Sequence, residues 1–419
     1  MLFFCLVWPE PGSSAAGVRI DRLVRFFNEM GWSVHISSLA EPSDYSTVYE
    51  YAQHYKLDPN SPQTPNSIQA INPDIVIFDR FMMEEQFGWQ VAEVCPSAIR
   101  ILDTEDLHGL REARRLSLHS LTHDELWNQE FMVSESCLSN PISLRELASM
   151  YRVHLNLMVS RVEMDLARKY YRLDSDSLYF LPLLSNNWVE TNPDRGPVVS
   201  RNHFMFIGNY KHAPNRDAVH HLCRNLWPSI REKIPNQELH LYGAYSDDDI
   251  QKFNNTDLGI HVKGRAEDVS NVMKGYLLQL APLRFGAGIK GKILDAILSE
   301  LPTITTPIGR EGLDEYLYDL EFPGEVTCSD AEFIEKTIFL AQNKRHYEQK
   351  IMESQKIKDK LMSDSISFTH ERMLLNNLLN PTFLERLMNT SMVHQSFRQN
   401  NSLAHRYLSK YIAEKNKNA

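Results

Sequence analysis

The sequence predicts an α/β protein with two doubly wound parallel sheets, one in each half of the chain. Twelve short apolar runs are each followed by a polar or glycine-containing turn and then by a segment of helical periodicity. This alternation is the pattern of parallel βαβ units. The length of 419 residues fits two or three domains at about 100–200 residues each.

The apolar runs divide evenly between the two halves. In the first half they are Leu2–Val7, Val34–Ser37, Asp74–Phe78, Ile99–Leu102, Asn156–Val159 and Leu178–Leu181; in the second they are His203–Ile207, Glu238–Tyr242, Ile260–Val262, Leu277–Ala281, Thr303–Thr305 and Glu325–Thr327. The stretch Pro182–Val199 is polar and turn-rich, as linkers are. The predicted domains are residues 1–184 and 200–363, joined by a linker at 185–199 and followed by a helical segment at 364–419.

Composition excludes several classes of protein. The chain has 44 basic and 54 acidic residues, a net charge of −10, whereas binding to a nucleic-acid backbone normally requires a basic surplus. Five scattered cysteines without metal-ligand spacing are typical of reduced core thiols in a cytoplasmic protein. Met1–Val7 is too short for a signal peptide, and no run reaches the roughly 18 apolar residues of a membrane span. Peripheral membrane contact stays open.

The strongest chemical signal is a glycine- and lysine-rich turn between the run Leu277–Ala281 and the helix-prone segment that starts near Gly291. Glycines allow close backbone approach to an anion, and the first turn of a helix offers free N–H groups and a favourable dipole. Lys290 and Lys292 add positive charge. The turn therefore predicts a phosphate site, centred on Gly286, Ala287, Gly288, Ile289 and Lys290.

Three other interpretations of this turn carry less weight. It matches the G-x-x-x-x-G-K of a Walker A loop, but Ile293 stands where a magnesium-binding hydroxyl is needed. It matches G-x-G-x-x-G, but a dinucleotide fingerprint opens the first βαβ unit and lacks lysines. A plain tight turn with solvated lysines remains open.

Two loops of the first half follow predicted strands, where ligands of doubly wound sheets bind. Trp8–Arg19 brings small residues, including Gly17, to the entrance of a helix, although a plain turn explains it about as well; Arg19 would meet either an anion or a surface partner. Asp103–His108 places Asp106 beside His108, an arrangement suited to holding hydroxyls or moving a proton. The alternative is that Asp103 caps the next helix.

Two features of the second half point to the same cleft. Gly208, Asn209 and Lys211 follow the run His203–Ile207, where Lys211 or His212 would face a diphosphate across from Lys290; the alternative is a solvated loop capped by Asn215. Asp295 lies early in the helix after the phosphate turn. It would bond ribose hydroxyls or only complement the helix dipole.

Together these motifs resemble family 4 (group 1) glycosyltransferases of the GT-B superfamily, whose two Rossmann-like domains face each other across a donor cleft. The resemblance covers roughly residues 1–340. It rests on five segments: Trp8–Gly17, Ile207–Asn215, Val262–Arg265, Pro282–Asp295 and Pro307–Leu313.

The resemblance implies a retaining transfer from a nucleoside-diphosphate sugar, as co-substrate, to an acceptor hydroxyl, without metal or other cofactor. Lys290, Lys211 and the helix N-terminus would stabilise the leaving diphosphate. His108 would lie near the sugar and Gly17 beside the diphosphate and acceptor. Two departures stand out: Asp295 replaces the usual Glu, and Ala287 replaces an acid, which leaves the amides of Gly288, Ile289 and Lys290 to hold the sugar.

The predicted catalytic residues are therefore His108, Lys290 and Asp106. The predicted donor-binding residues are Gly17, Gly208, Asn209, Lys211, Gly286, Ala287, Gly288, Ile289, Lys290 and Asp295.

The acceptor would be a glycan, a lipid-linked molecule or a small molecule. The segment 364–419 is expected to pack back on the first domain, with membrane contact or homodimerisation left open. Asp174–Asp176 has the D-x-D form of a metal site but is interpreted as a solvated loop. A noncatalytic GT-B subunit and an epimerase are the competing functions.

Overall fold

The computed structural model describes residues 1–12, 15–47, 49–118, 135–183, 201–389 and 392–399. The predicted linker at 185–199 and the basic residues near the C-terminus lie outside the described residues. Within the described part of the chain, two fully parallel sheets of seven and six strands form. The predicted pair of doubly wound sheets is therefore confirmed.

The first sheet has the strand order β3-β2-β1-β4-β5-β6-β7. Its strands are β1 Leu2–Phe4, β2 His35–Ser37, β3 Gln53–Tyr55, β4 Ile75–Asp79, β5 Ile99–Asp103, β6 Leu155–Met158 and β7 Leu178–Phe180. The helices around it are α1 Ala15–Glu29, α2 Thr64–Ile71, α3 Phe81–Val94, α4 His108–Ser117, α5 Glu135–Leu138, α6 Pro141–Arg152 and α7 Arg161–Lys169.

The second sheet has the order β10-β9-β8-β11-β12-β13. Its strands are β8 Asn202–Ile207, β9 Leu239–Tyr242, β10 Ile260–Gly264, β11 Tyr276–Ala281, β12 Thr303–Thr305 and β13 Gly324–Val326. Its helices are α8 Ala213–His221, α9 Trp227–Lys233, α10 Asp248–Gln251, α11 Val269–Lys274, α12 Gly291–Leu298, α13 Pro307–Arg310, α14 Asp314–Leu317, α15 Asp330–Gln342 and α16 Lys344–Ser367.

The central strands are buried on both faces because helices cover both. Alternate residues of β1 face opposite layers: Phe4 stacks on Phe87 at a centroid distance of 4.2 Å, whereas Phe3 packs edge-on against Phe27 of α1. All five residues of β4 are buried, as expected for a strand inside a parallel sheet.

One strand and one cysteine differ from the sequence predictions. The edge strand β3 was not predicted, because Gln53-His54-Tyr55 has no buried residue and so no apolar pattern. Cys328 is exposed, whereas Cys5, Cys95 and Cys223 are buried thiols. The prediction of core thiols is therefore wrong for Cys328, which lies in the loop before α15.

After the second domain, the chain returns to the first. Helices α17 Thr369–Leu378 and α18 Pro381–Met388 follow α16, and residues 392–399 are also helical. Phe368, Leu374 and Leu378 join the core cluster that contains Phe3 and Ile77. The expected start of this segment at residue 364 falls inside α16, which ends at Ser367.

Among the described residues, no helix combines the length and the apolar composition needed to cross a bilayer.

Both sheets reverse their strand order beside the first strand of the domain, between β1 and β4 and between β8 and β11. Such switch points open a crevice at the carboxyl ends of the strands. The loops that follow β1, β8 and β11 therefore lie at these two crevices. The loop after β11 is the phosphate turn, and it contacts the first domain.

Candidate functional site

The phosphate turn runs from Pro282 to Lys290 and leads into α12. Gly288 has φ +64°, a left-handed conformation that favours glycine. A Cβ atom at this position would lie 2.7 Å from Cβ of Asp106 in the first domain. Both the backbone conformation and the close approach therefore require glycine.

The turn is held against the first domain by three neighbouring contacts. Arg114 Nη1 donates to the Gly286 carbonyl at 2.7 Å, and the Gly288 N–H donates to Glu163 Oε1 at 2.5 Å. Between them, Ala287 packs on the core of the first domain. The two domains therefore meet directly at the predicted donor site.

A buried charge network lies behind this turn. Arg114, whose side chain is 0% exposed, pairs with Glu311 through Nη1 to Oε1 at 2.8 Å and Nη2 to Oε2 at 2.5 Å. Lys290 Nζ donates to the Gly288 carbonyl at 2.8 Å and lies 3.7 Å from Glu311 Oε1. Burial lowers the pKa of Lys290, and the charge of Glu311 opposes this shift.

Across the interface, α4 presents a second polar cluster. His108 Nε2 lies 3.1 Å from Asp106 Oδ1, and Arg111 Nη1 donates to Asp106 Oδ2. Burial would raise the pKa of Asp106, but Arg111 and His108 outweigh it, so the pKa is lowered and the carboxylate is ionised. Asp106 and His108, which the sequence analysis considered together, therefore lie within hydrogen-bonding distance of each other.

The alternative prediction for the loop Asp103–His108, a helix cap by Asp103, is wrong. Asp103 does not cap α4, whose N-cap residue is Leu107; it ends β5, fully buried, and accepts a bifurcated hydrogen bond from Arg19 Nε at 2.7 and 2.8 Å. Arg19 is 3% exposed, so its partner is the buried Asp103 carboxylate and not a surface residue. The N-terminal amides of His108 and Gly109 instead donate to Glu146 at 2.8 and 3.1 Å. Burial raises the pKa of Glu146 to about 8, although these two amides lower it.

Lys211 and His212, either of which was predicted to face a diphosphate, have different surroundings in the loop after β8. Lys211 Nζ lies 3.6 Å from the ring centroid of Tyr245, and the Lys211 N–H donates to Asn209 Oδ1 at 2.9 Å. Burial lowers the pKa of His212 to about 4, with Arg111 as the next cause. His212, rather than Lys211, therefore faces the charged cluster on α4.

The side chain of Lys292 lies between α12 and the loop after β8. Its Nζ donates to Asn215 Oδ1 at 2.5 Å and lies 4.5 Å from the ring centroid of Phe206. Burial lowers the pKa of Lys292 to about 7. Asn215 also donates to the Asn209 carbonyl at 2.9 Å, so it is a buried part of the site and does not cap the helix. Gly208 is needed here, because a Cβ atom would lie 2.7 Å from the Asn215 side chain.

Comparisons with known proteins bear on this arrangement. Residues 201–343 match the family model of glycosyl transferases group 1. No curated protein matches the chain in sequence. The second domain is thus similar to the glycosyl transferases of group 1.

Several solved structures share the arrangement of both domains. WaaG, a glycosyltransferase involved in lipopolysaccharide biosynthesis, aligns with a TM-score of 0.58 and 14% identity over 88% of this chain and 99% of its own. Anabaena Alr3699/HepE in complex with UDP and glucose aligns with a TM-score of 0.59 and 11% identity over 89% and 98%. A glycosyltransferase from Rickettsia africae gives a TM-score of 0.57 and 10% identity over 93% and 99%.

The architecture is GT-B. The phosphate turn lies where the two domains meet, with Gly288 close to Asp106. Asp295 is the fifth residue of α12 and is partly exposed. Ala296 of α12 clusters with Met205 of β8.

Gly17 lies inside α1 of the first domain. The backbone of Glu10 fills the space beside it. A Cβ atom at Gly17 would lie 2.3 Å from the Glu10 carbonyl oxygen.

The D-x-D segment lies away from the cleft, in a 3-10 turn at Ser175–Ser177, with Asp176 4.0 Å from Arg386 of α18.

Sequence reasoning missed the residues whose hydrogen bonds join the two domains, namely Arg114, Glu163 and Glu311. A weak signal existed for Arg114, which shares the buried face of α4 with Leu110; a charged residue on an apolar face requires a buried partner. Glu311 stands among glycine, proline and apolar residues of Pro307–Leu313. Nothing in the sequence pairs it with Arg114.

Proposed function

We propose that this protein is a retaining glycosyltransferase that moves a sugar from a nucleoside-diphosphate sugar to an acceptor hydroxyl without a metal ion. The observation that carries the proposal is the placement of the Gly286–Lys290 turn at the GT-B cleft, opposite Asp106 and His108. One side supplies cations and helix amides for a diphosphate, and the other supplies a carboxylate–imidazole pair for hydroxyls.

Lys290 and Lys292 are proposed to stabilise the diphosphate as it leaves. Negative charge grows on the leaving oxygen when its bond to the sugar breaks, and preorganised cations at that point lower the barrier. Both ammonium groups lie at the start of α12, whose dipole acts in the same direction. Lys292 takes the role that the sequence had given to Lys211, because Lys211 lies over Tyr245.

His108 is proposed to hold a hydroxyl of the donor sugar. Asp106 accepts from His108 Nε2 at 3.1 Å, which fixes the orientation of the ring. Ala287 contributes no polar group, so the main chain of the turn must hold the rest of the sugar. For the Gly288 amide to do so, the sugar must replace Glu163 as its acceptor.

Asp295→Ala is expected to weaken binding of a nucleoside diphosphate by roughly 10- to 100-fold. A hydrogen bond to an ionised carboxylate is worth about 1.5–3 kcal/mol, and we propose that Asp295 accepts from the ribose hydroxyls. Calorimetric titration with UDP measures the change. Asp295→Glu should bind UDP at least as well as the natural chain, and inorganic pyrophosphate should bind both variants equally; an unchanged UDP affinity in Asp295→Ala would remove the ribose role.

UDP affinity is expected to fall as the pH rises above about 7. Burial lowers the pKa of Lys292 to about 7, and a bound diphosphate would raise that pKa because it favours the charged form. Binding above this pH therefore takes up a proton, which costs up to about tenfold in affinity per pH unit. Lys292→Arg, which stays charged, should show a flatter profile. Identical profiles for the two proteins would exclude Lys292 from diphosphate binding.

A panel of nucleotide sugars tests the proposal as a whole. UDP sugars come first, since UDP and UDP-glucose occupy the structurally similar Alr3699/HepE. Donor-dependent release of nucleoside diphosphate in the presence of an acceptor supports the transferase, and the anomeric configuration of the product tests retention. Undiminished turnover in excess chelator is expected. Conversion of the donor without any acceptor would instead indicate an epimerase.

A noncatalytic GT-B subunit is the second candidate, and one observation favours it. Ala287 packs on the first domain and the Gly288 amide is bonded to Glu163, so the groups proposed to hold the sugar are already engaged in the contact between the domains. Binding of nucleotide sugars without turnover across the panel would support this function and overturn the first.

A further inference from the structure

A cluster of histidines lies at the opposite end of the second sheet from the cleft. His203, His240 and His261 belong to the neighbouring strands β8, β9 and β10, near their amino ends, and His261 is the register partner of His240. Glu238 immediately precedes β9 and shares a face with His240, because strand residues two apart point the same way. The proposed glycosyl transfer uses none of these residues.

We propose that Glu238, His240 and His261 bind a zinc ion. Two imidazoles and one carboxylate form a ligand set that zinc uses with a fourth, exchangeable position. The ion would tie the edge strand β10 to its neighbour β9. This inference does not depend on the proposed function.

The distances fit a single ion. One ligand atom from each of the three residues lies within 4.8 Å of the other two. His240 Nε2 lies 3.0 Å from Glu238 Oε2, and His261 Nε2 lies 3.5 Å from the same oxygen. Zinc bonds of about 2.0–2.2 Å in a tetrahedral arrangement place ligand atoms about 3.3–3.6 Å apart, so only small side-chain movements are needed.

The surroundings orient His240 and leave a ring nitrogen of His261 without a partner. His240 Nδ1 is hydrogen-bonded to Tyr276 Oη at 2.6 Å, and Tyr276 Oη to Tyr242 Oη at 2.9 Å. Metal-binding histidines typically have such an outer partner on the second ring nitrogen. The Nε2 atom of His261 is shielded from solvent and has no hydrogen-bond partner, which a buried polar atom normally requires.

His203 does not complete the set. Its Nδ1 accepts a hydrogen bond from the Glu238 N–H at 3.2 Å, so the proton of the neutral ring is on Nε2, the nitrogen that faces Glu238 at 3.8 Å. A protonated nitrogen cannot coordinate a metal. The site therefore has three protein ligands.

Zinc titration of the full chain after chelator treatment tests the site. We expect one strongly bound zinc per chain, a weakening of at least tenfold in His261→Ala and Glu238→Gln, and a weakening of about tenfold in Tyr276→Phe, the usual effect of removing an outer-shell partner. His203→Ala should bind as the natural chain does. His220→Ala is the matched control, because His220 pairs with Asp249 elsewhere in the domain.

Cobalt gives an independent readout of the same site. Tetrahedral coordination by two imidazoles should produce visible absorption bands in the natural chain, and these should disappear in His261→Ala and in the less disruptive His261→Gln. Circular dichroism establishes that the variants are folded. Absence of a stoichiometric zinc in the natural chain would overturn the proposal, and so would a zinc affinity in both His261 variants equal to that of the natural chain.

Discussion

Lys290→Ala is expected to reduce turnover by about 10²- to 10³-fold, the usual effect of removing one preorganised group that stabilises growing negative charge. Lys290 Nζ is buried, lies 3.7 Å from Glu311 and donates to the Gly288 carbonyl, so it is held in one position. Initial rates of nucleoside diphosphate release at saturating donor measure the loss.

The fold should survive this substitution. Glu311 keeps its two hydrogen bonds from Arg114 at 2.8 and 2.5 Å, which are far shorter than its distance to Lys290. Lys211→Ala is the matched control, since it removes a cation that lies over Tyr245; it should retain most of the turnover. Near-normal turnover in Lys290→Ala would contradict the assignment of the turn to the leaving group.

Arg114→Met is expected to lower the free energy of unfolding by about 3–5 kcal/mol, because removing one partner of a buried ion pair leaves the other charge unpaired. Glu311 would then have Lys290 alone, at 3.7 Å, and the Gly286 carbonyl would lose its 2.7 Å donor. Denaturant titration followed by fluorescence and circular dichroism measures the change.

A second substitution separates the unpaired charge from the lost volume. Adding Glu311→Gln to Arg114→Met should recover part of the stability, because neither variant side chain carries a charge. Arg145→Met removes a surface ion pair with Glu85, in which the Arg145 side chain is 56% exposed. It should lower the free energy of unfolding by at most about 1 kcal/mol. Equal losses for Arg114→Met and Arg145→Met would show that the cross-domain pair does not stabilise the fold.

The fold was predictable because each central strand is a continuous apolar run. A strand such as β4 is buried on both faces, so its composition alone identifies it. The strand β3 was not predictable, because its side chains are exposed or partly exposed and its pairing with β2 depends on the backbone. Hydrophobic patterning detects burial, and an edge strand has little of it.

The candidate site was predictable only within each domain. Carboxyl ends of parallel strands meet at one edge of a sheet, which is why the loop after β8 and the turn after β11 come together. The contact between Gly288 and Glu163 spans 125 positions of sequence, and that between Arg114 and Glu311 spans 197. Local patterns do not encode how two separately folded domains face each other.

The packing of α17 on the first domain has a consequence for synthesis of the protein. Arg22 of α1 is buried against Glu371, and Phe26 lies 5.5 Å from the ring of Phe368. A ribosome-bound chain that has emerged only as far as the second domain would still expose this apolar layer and an unneutralised guanidinium. We therefore expect the amino-terminal domain to complete its packing only after residues 368–387 have left the exit tunnel.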